Sequence, residues 1–276
     1  MPMALGLGQP IVAIDSNILE IKIPKEMEKA IPTGHAHMDR LFAGDGIIAG
    51  TVSLVTGAPG GGKTTLMVDV ADKLMGMGHV AVYNTGEESL FQVRRVVSRM
   101  DLKNGFIPAY NMYAQDIIEH CEALRTKYKD KKIFLFQDSL QCIRVKREEG
   151  LRGRPASDEK QTLDGLQMLA TYCKNNWIPF FLIGHINKKG DFAGKQLIKH
   201  IVDCHLHLDV DVDPETGVEE RILQMQKNRF GASGTFYQAE MTEKGLKFES
   251  ASSSMNAKKK SVEENADEDN EFGPEE

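Results

Sequence analysis

Long apolar runs are missing from this chain of 276 residues: nowhere do about 18 apolar residues follow one another, which excludes an ordinary membrane-spanning helix. Paired cysteines are missing as well. Cys121, Cys142, Cys173 and Cys204 are scattered with no CxxC spacing, which argues against a disulfide framework or zinc site and for a reducing compartment. The opening MPMALGLGQPIVAIDSN has no basic start followed by a proper apolar stretch, so no secretory signal and a cytoplasmic location are expected. With 41% hydrophobic and 27% charged residues, the composition is that of a globular protein.

Basic residues are absent from 261–276, SVEENADEDNEFGPEE, which holds eight carboxylates. The net charge of −6 is therefore uneven. Without those eight, 32 acidic residues face 34 basic ones, a net of +2, so the body is not repelled from nucleic acid. The tail has too few apolar side chains to offset the cost of ordering. It is expected to be a disordered, solubilising end, or a segment that mimics DNA or binds a protein partner by competing for the chain's own basic loops.

Elsewhere, short apolar runs alternate with longer amphipathic ones, which predicts a mostly parallel, twisted α/β sheet flanked by helices. Strands are expected at TVSLVTG, HVAVYNT, KKIFLFQD and IPFFLIGHI, and a hairpin joins VDCHLHLDV to ERILQMQKN. Helices are expected over KTTLMVDVADKLMGMG, SLFQVRRVVSRM with Ser89 as N-cap, DIIEHCEALRTKY and EKQTLDGLQMLATYCKNN. Three regions follow: a leader over 1–30 with short strands around IVAIDS and LEIKI, a core over 31–248, and a Ser-rich linker with the acidic tail over 249–276.

Between the first strand and its helix lies Gly57-Ala58-Pro59-Gly60-Gly61-Gly62-Lys63-Thr64, followed by Thr65, a full GxxxxGK[ST] match. Glycines let backbone N–H groups curl around phosphate oxygens, and the helix N-terminus adds positive potential. Lys63 is expected on the β- and γ-phosphates of ATP, and the Thr64 hydroxyl on Mg²⁺. Such a loop needs an acid at the end of another buried strand. IFLFQDS supplies Asp138, which alone would equally read as a helix N-cap and beside the phosphate loop reads as a magnesium ligand. VYNTGEES sets Glu87 and Glu88 at the end of the second strand, and ligand sites in such sheets gather at these ends. Glu87 is taken as the group that activates water, with Glu88 second. Further on, QMQKNRFG spaces Lys227 and Arg229 two apart, on one side of a strand.

In this order the pieces resemble the RecA superfamily, and in particular the ATPase core of the bacterial RadA/Sms recombination proteins. The resemblance runs from about 31 to 248. It rests on TGHAHMDRLFAGDGIIAGTVSLVTGAPGGGKTTL, GEES, DSLQ, IPFFLIGHINKKGDFAGKQLIKHIVD and KNRFG. It implies a γ-phosphate sensor at His185, and Lys227 and Arg229 reaching the nucleotide of a neighbouring copy in a hexameric ring or filament. It also implies two loops for single-stranded DNA. The first carries Arg144, Lys146, Arg147, Arg152 and Arg154, and the second Lys188, Lys189, Lys195 and Lys199. Phe192 is the only aromatic in either, so binding is expected to be mostly electrostatic. No four-cysteine module precedes the core and no Lon-like domain follows it, so protease activity is not expected, and the short form suggests a phage origin. The leading expectation is a DNA-dependent ATPase of recombination, repair or replication. The alternatives are a replicative-helicase-like motor and a DNA-independent nucleotide switch, like the clock ATPases of the same superfamily.

Overall fold

In a computed structural model of the chain, residues 17–42, 44–146, 157–185, 195–212, 217 and 219–249 are described. Runs rich in Val, Ile, Leu and Phe form the strands β1 (Val52–Gly57), β2 (Val80–Thr85), β3 (Ile107–Ala109), β4 (Ile133–Asp138), β5 (Phe180–Ile183) and β6 (Cys204–Val212). All six run parallel, in the order β3-β2-β4-β5-β1-β6. The sheet then continues antiparallel through β7 (Glu219–Asn228), β8 (Phe236–Thr242) and β9 (Gly245–Phe248), nine strands in all.

The helices are α1 (Lys25–Glu28), α2 (Ala36–Leu41), α3 (Lys63–Gly76), α4 (Leu90–Val97), α5 (Ala114–Lys127), α6 (Asp158–Asn175) and α7 (Lys195–Ile201). They divide between the two faces. On one, Leu66, Met67 and Val70 of α3 meet Val55, Tyr83, Phe136 and Phe181. On the other, Ile117 and Cys121 of α5 and Leu166 and Leu169 of α6 meet Leu54, Val82, Leu135 and Phe180. Helices on both faces explain why β1 and β2 are buried at every position rather than at every second one. Stacked Phe136 and Phe181, with ring centroids 4.9 Å apart, fill the middle of the first face.

The parallel α/β sheet, the four long helices and the hairpin of β6 and β7 agree with the sequence expectation. LEIKI does not. Ile18–Glu20 is a turn of 3₁₀ helix capped by the Asn17 side chain and the following residues extend without pairing, because Ile18, Leu19 and Ile23 find no sheet edge and stay exposed. The run IVAIDS and the tail lie outside the described residues. Sequence periodicity also missed β3, β8 and β9, which are short or only half-buried.

A histidine bracket ties β9 to α2. His35 caps α2, with its side chain accepting from the Met38 N–H, and packs edge-on against Phe248. His37 stacks on the same ring and its Nε2 lies 3.0 Å from the Glu249 carbonyl. Burial pulls the His35 pKa down to about 4, against the pull of Asp69 at 3.9 Å and Asp39, and with Lys73 and His37 adding to the drop.

Candidate nucleotide site

Parallel strands bring their C-terminal ends to one edge, and register does the rest. Thr85 of β2 pairs with Asp138 of β4, Asp138 with Ile183 of β5, and Ile183 with Val55 of β1. Groups a residue or two beyond these ends, Glu87, Ser139 and His185, are thereby gathered beside the loop that leaves β1.

That loop depends on two glycines. At Gly57 (φ +151°) a Cβ would lie 2.1 Å from the Leu208 carbonyl oxygen, so only glycine lets β1 turn away this close to β6. Gly62 (φ +105°) caps α3 without any side-chain hydrogen bond. The first amides of α3 therefore have no helical partner and no cap, which is the arrangement that receives phosphate oxygens. Lys63 is buried, and its Nζ donates to the Gly57 and Ala58 carbonyls at 2.8 Å each. Burial draws its pKa down, opposed by Asp138 and Glu87.

Asp138 ends β4 on the face shared with α3. Its Oδ2 accepts from the Thr64 hydroxyl and from the Tyr83 hydroxyl, each at 2.8 Å. Tyr83 is wholly buried, and burial and then the Asp138 charge push its pKa well up, so it is a fixed donor holding the carboxylate in place. The Asp138–Ser139 peptide is cis. Ser139 donates its hydroxyl to Glu87 Oε2 at 3.1 Å, and His185 Nε2 lies 3.0 Å from the same oxygen. Glu87, Asp138 and His185 thus converge, with ligand atoms within 4.8 Å of one another. Behind them, buried Asn84 donates to Gln137 at 2.7 Å, and Gln137 donates to the Ser139 carbonyl at 3.1 Å, fixing the backbone that carries the cluster.

The donor set fits a magnesium ion: Thr64 and Asp138 offer the oxygen ligands that a hard cation takes, beside a loop built for phosphate. A cavity of about 730 Å³ opens above the loop and is lined by Lys63, Thr64, Thr65, Glu88 and His185. Its far wall is Arg99 and Met100, just after α4, with Met241, Thr242, Glu243 and Gly245 from β8 and β9. Sequence reasoning missed this wall and the supports Tyr83 and Ser139. Tyr83 did leave a signal, a hydroxyl inside a fully buried strand. Nothing local marks β8 and β9, whose place depends on pairing across the whole sheet.

The two cations of KNRFG sit elsewhere. β7 runs antiparallel, so its end lies at the sheet edge opposite the phosphate loop, where β1 begins. Lys227 Nζ donates to the Lys199 and Val202 carbonyls at 2.6 Å each, at the end of α7. Burial, then Arg229, draws its pKa down. Arg229, one residue past β7, pairs with buried Asp203 at 2.9 Å. Lys174 pairs with the same carboxylate at 3.0 Å, and the other oxygen accepts from the Val52 N–H. Val52 and Gly57 are five strand steps apart, roughly 16 Å. Within one chain these cations and the phosphate loop do not meet.

Of the loop cations, Arg144 is engaged internally, donating to the Gln141 and Ile143 carbonyls and the Thr162 hydroxyl. Lys146 is paired with Asp116, and Lys199 is exposed on α7. Lys195 opens α7, while Arg147, Arg152, Arg154, Lys188 and Lys189 lie outside the described residues.

No protein-family model matches the chain. It is 32% identical over 222 residues to the DNA repair protein RadA of Aquifex aeolicus, 31% over 215 residues to that of Escherichia coli, and 33% over 216 residues to that of Streptococcus pyogenes. These matches take in 78–80% of this chain but 44–47% of the relatives, so the chain spans about half their length. A KaiC-like protein from Pyrococcus horikoshii shares the fold, with a TM-score of 0.63 at 18% identity, over 80% of this chain and 99% of that one. Over about four-fifths of its length the chain is similar to the RadA proteins, and it shares its fold with the KaiC-like protein.

Proposed function

We propose that this chain is a cytoplasmic ATPase that binds single-stranded DNA in recombination, repair or replication, and works as a ring or filament of identical copies with ATP held between neighbours. The observation that carries the proposal is the convergence of Thr64, Asp138, Glu87, Ser139 and His185 at the mouth of a full phosphate loop. The similarity to proteins named for DNA repair supports the DNA part.

In this reading Lys63 and the first amides of α3 bind the β- and γ-phosphates. Thr64 and Asp138 hold Mg²⁺, which when bound neutralises charge on the phosphates. Glu87, held by Ser139 and His185, orients a water for attack and accepts its proton. His185 also binds Gln141 through its own carbonyl, at 3.2 Å, so a change at the γ-phosphate is felt in the segments after both β4 and β5. These lead into the two basic loops, which track the strand by charge. Lys227 and Arg229 cannot serve their own loop, and they complete the site of the next copy. Arg229 is free to do so because Lys174 still compensates Asp203 when it leaves.

The test is the steady-state ATPase rate with and without single-stranded DNA. Stimulation by DNA, abolished in Lys63→Ala, is the expected result. The similarity of fold to a KaiC-like protein favours one second reading, a nucleotide switch in which DNA has no part. A rate indifferent to DNA would select that reading and remove the first.

A further inference from the structure

Phe91 stands in the first turn of α4 with 88% of its surface exposed, beside Leu90 at 39%. A lone exposed apolar side chain needs no explanation. This one has a counterpart at the other end of the molecule. Around Arg229 lies an apolar cavity of about 630 Å³, floored by Met27, Trp177 and Phe230. Trp177, the only tryptophan, is held at φ +59°, a left-handed conformation that costs a non-glycine residue energy and presents the ring in the turn between α6 and β5.

The two surfaces are complementary in charge as well as polarity. Phe91 follows the carboxylates Glu87 and Glu88, both exposed. The cavity carries the cations Lys22, Lys174 and Arg229 against the single carboxylate of Asp203, which Lys174 and Arg229 share, so its charge is net positive. Acid beside apolar on one face thus meets base beside apolar on the other. Sequence spacing agrees: Phe91 lies four residues after Glu87, just past the Ser89 cap of α4, and Phe230 is adjacent to Arg229.

We infer that Phe91 of one copy seats in the Met27–Trp177–Phe230 cavity of the next, the apolar anchor of a head-to-tail interface between copies of this chain. The inference rests on the shared-site reading above, since an Arg229 that reaches the neighbour's phosphate brings this cavity over the neighbour's α4. Heterologous surfaces of this kind repeat as a ring or a filament, and a buried aromatic in a pocket is the usual anchor of such contacts.

The experiment is oxidative cross-linking of a Phe91→Cys/Phe230→Cys double variant with Mg²⁺ and a non-hydrolysable ATP analogue. The single variants serve as controls, because Cys142 is only half-buried. The expected result is a ladder of multimers for the double variant alone. In sedimentation at saturating analogue, Phe91→Ser should raise the concentration for half-assembly by about tenfold or more. Both variants alter an exposed side chain, so folding is retained. If mixed Glu87→Gln and Arg229→Ala proteins regain ATPase activity but no ladder forms, or Phe91→Ser assembles like the parent, the Phe91 seat is overturned and the shared site stands. If the mixture stays inactive and no ladder forms, both are overturned.

Discussion

At the scale of single residues, the site depends on groups that are held rather than merely near. Glu87 receives hydrogen bonds from two directions, so removing its charge while keeping its shape is the cleanest probe. Glu87→Gln should lower kcat by about 10²–10⁴ while ATP affinity is kept, which turnover and a binding titration measure together. A second effect belongs to His35. Its folded pKa, about 4, lies below the ordinary 6.5, so between those values the unfolded chain binds the extra proton and the folded chain does not. Stability is then complete above about pH 6.5 and falls toward pH 4, by up to about 1.4 kcal/mol per pH unit. Urea unfolding at pH 7 and pH 5 should show the loss, and a His35 variant that still folds should show a smaller one, since burial also lowers His37, His79 and His207.

At the scale of elements, the phosphate loop is set by how tightly β1 approaches β6. Gly57→Ala forces a Cβ into the Leu208 carbonyl, backbone against backbone, and should cost about 3 kcal/mol or more, read as a lower unfolding midpoint. The capping box at Ser89, whose side chain accepts from the Gln92 N–H while Gln92 reaches back, holds the start of α4 next to Glu87. Ser89→Ala should cost about 1 kcal/mol. These elements were legible in the sequence because their signals are local: a glycine pattern, a cap, a buried apolar run ending in an acid. Asp138 and Glu87 could be named for the same reason, and His185 only through the resemblance to a known family. Tyr83, Ser139 and the wall from β8 and β9 could not, since they matter only through the register that sets β2 beside β4 and the hairpin over α3. LEIKI failed as a strand because apolar alternation supplies a face, not a partner edge.

At the scale of the whole molecule, charge and topology decide what the protein can touch. The body is nearly neutral and the excess of acid is gathered at the end of the chain. In the proposed role, binding to single-stranded DNA is carried by phosphate contacts rather than stacking, and it should weaken linearly in log salt with a slope steeper than about −2. Topology sets a stricter condition. The antiparallel return of β7 leaves Lys227 and Arg229 on the edge opposite the phosphate loop, so in the shared-site reading proposed above the catalytic set is completed between copies. An arginine supplied across such an interface is worth about 10³–10⁵ in rate. The most direct test mixes two inactive proteins, Glu87→Gln, which keeps Arg229, and Arg229→Ala, which keeps Glu87. A shared site predicts that the equimolar mixture regains activity in roughly one site in four, where an intact Glu87 faces an intact Arg229. A mixture as inactive as its two components would contradict it.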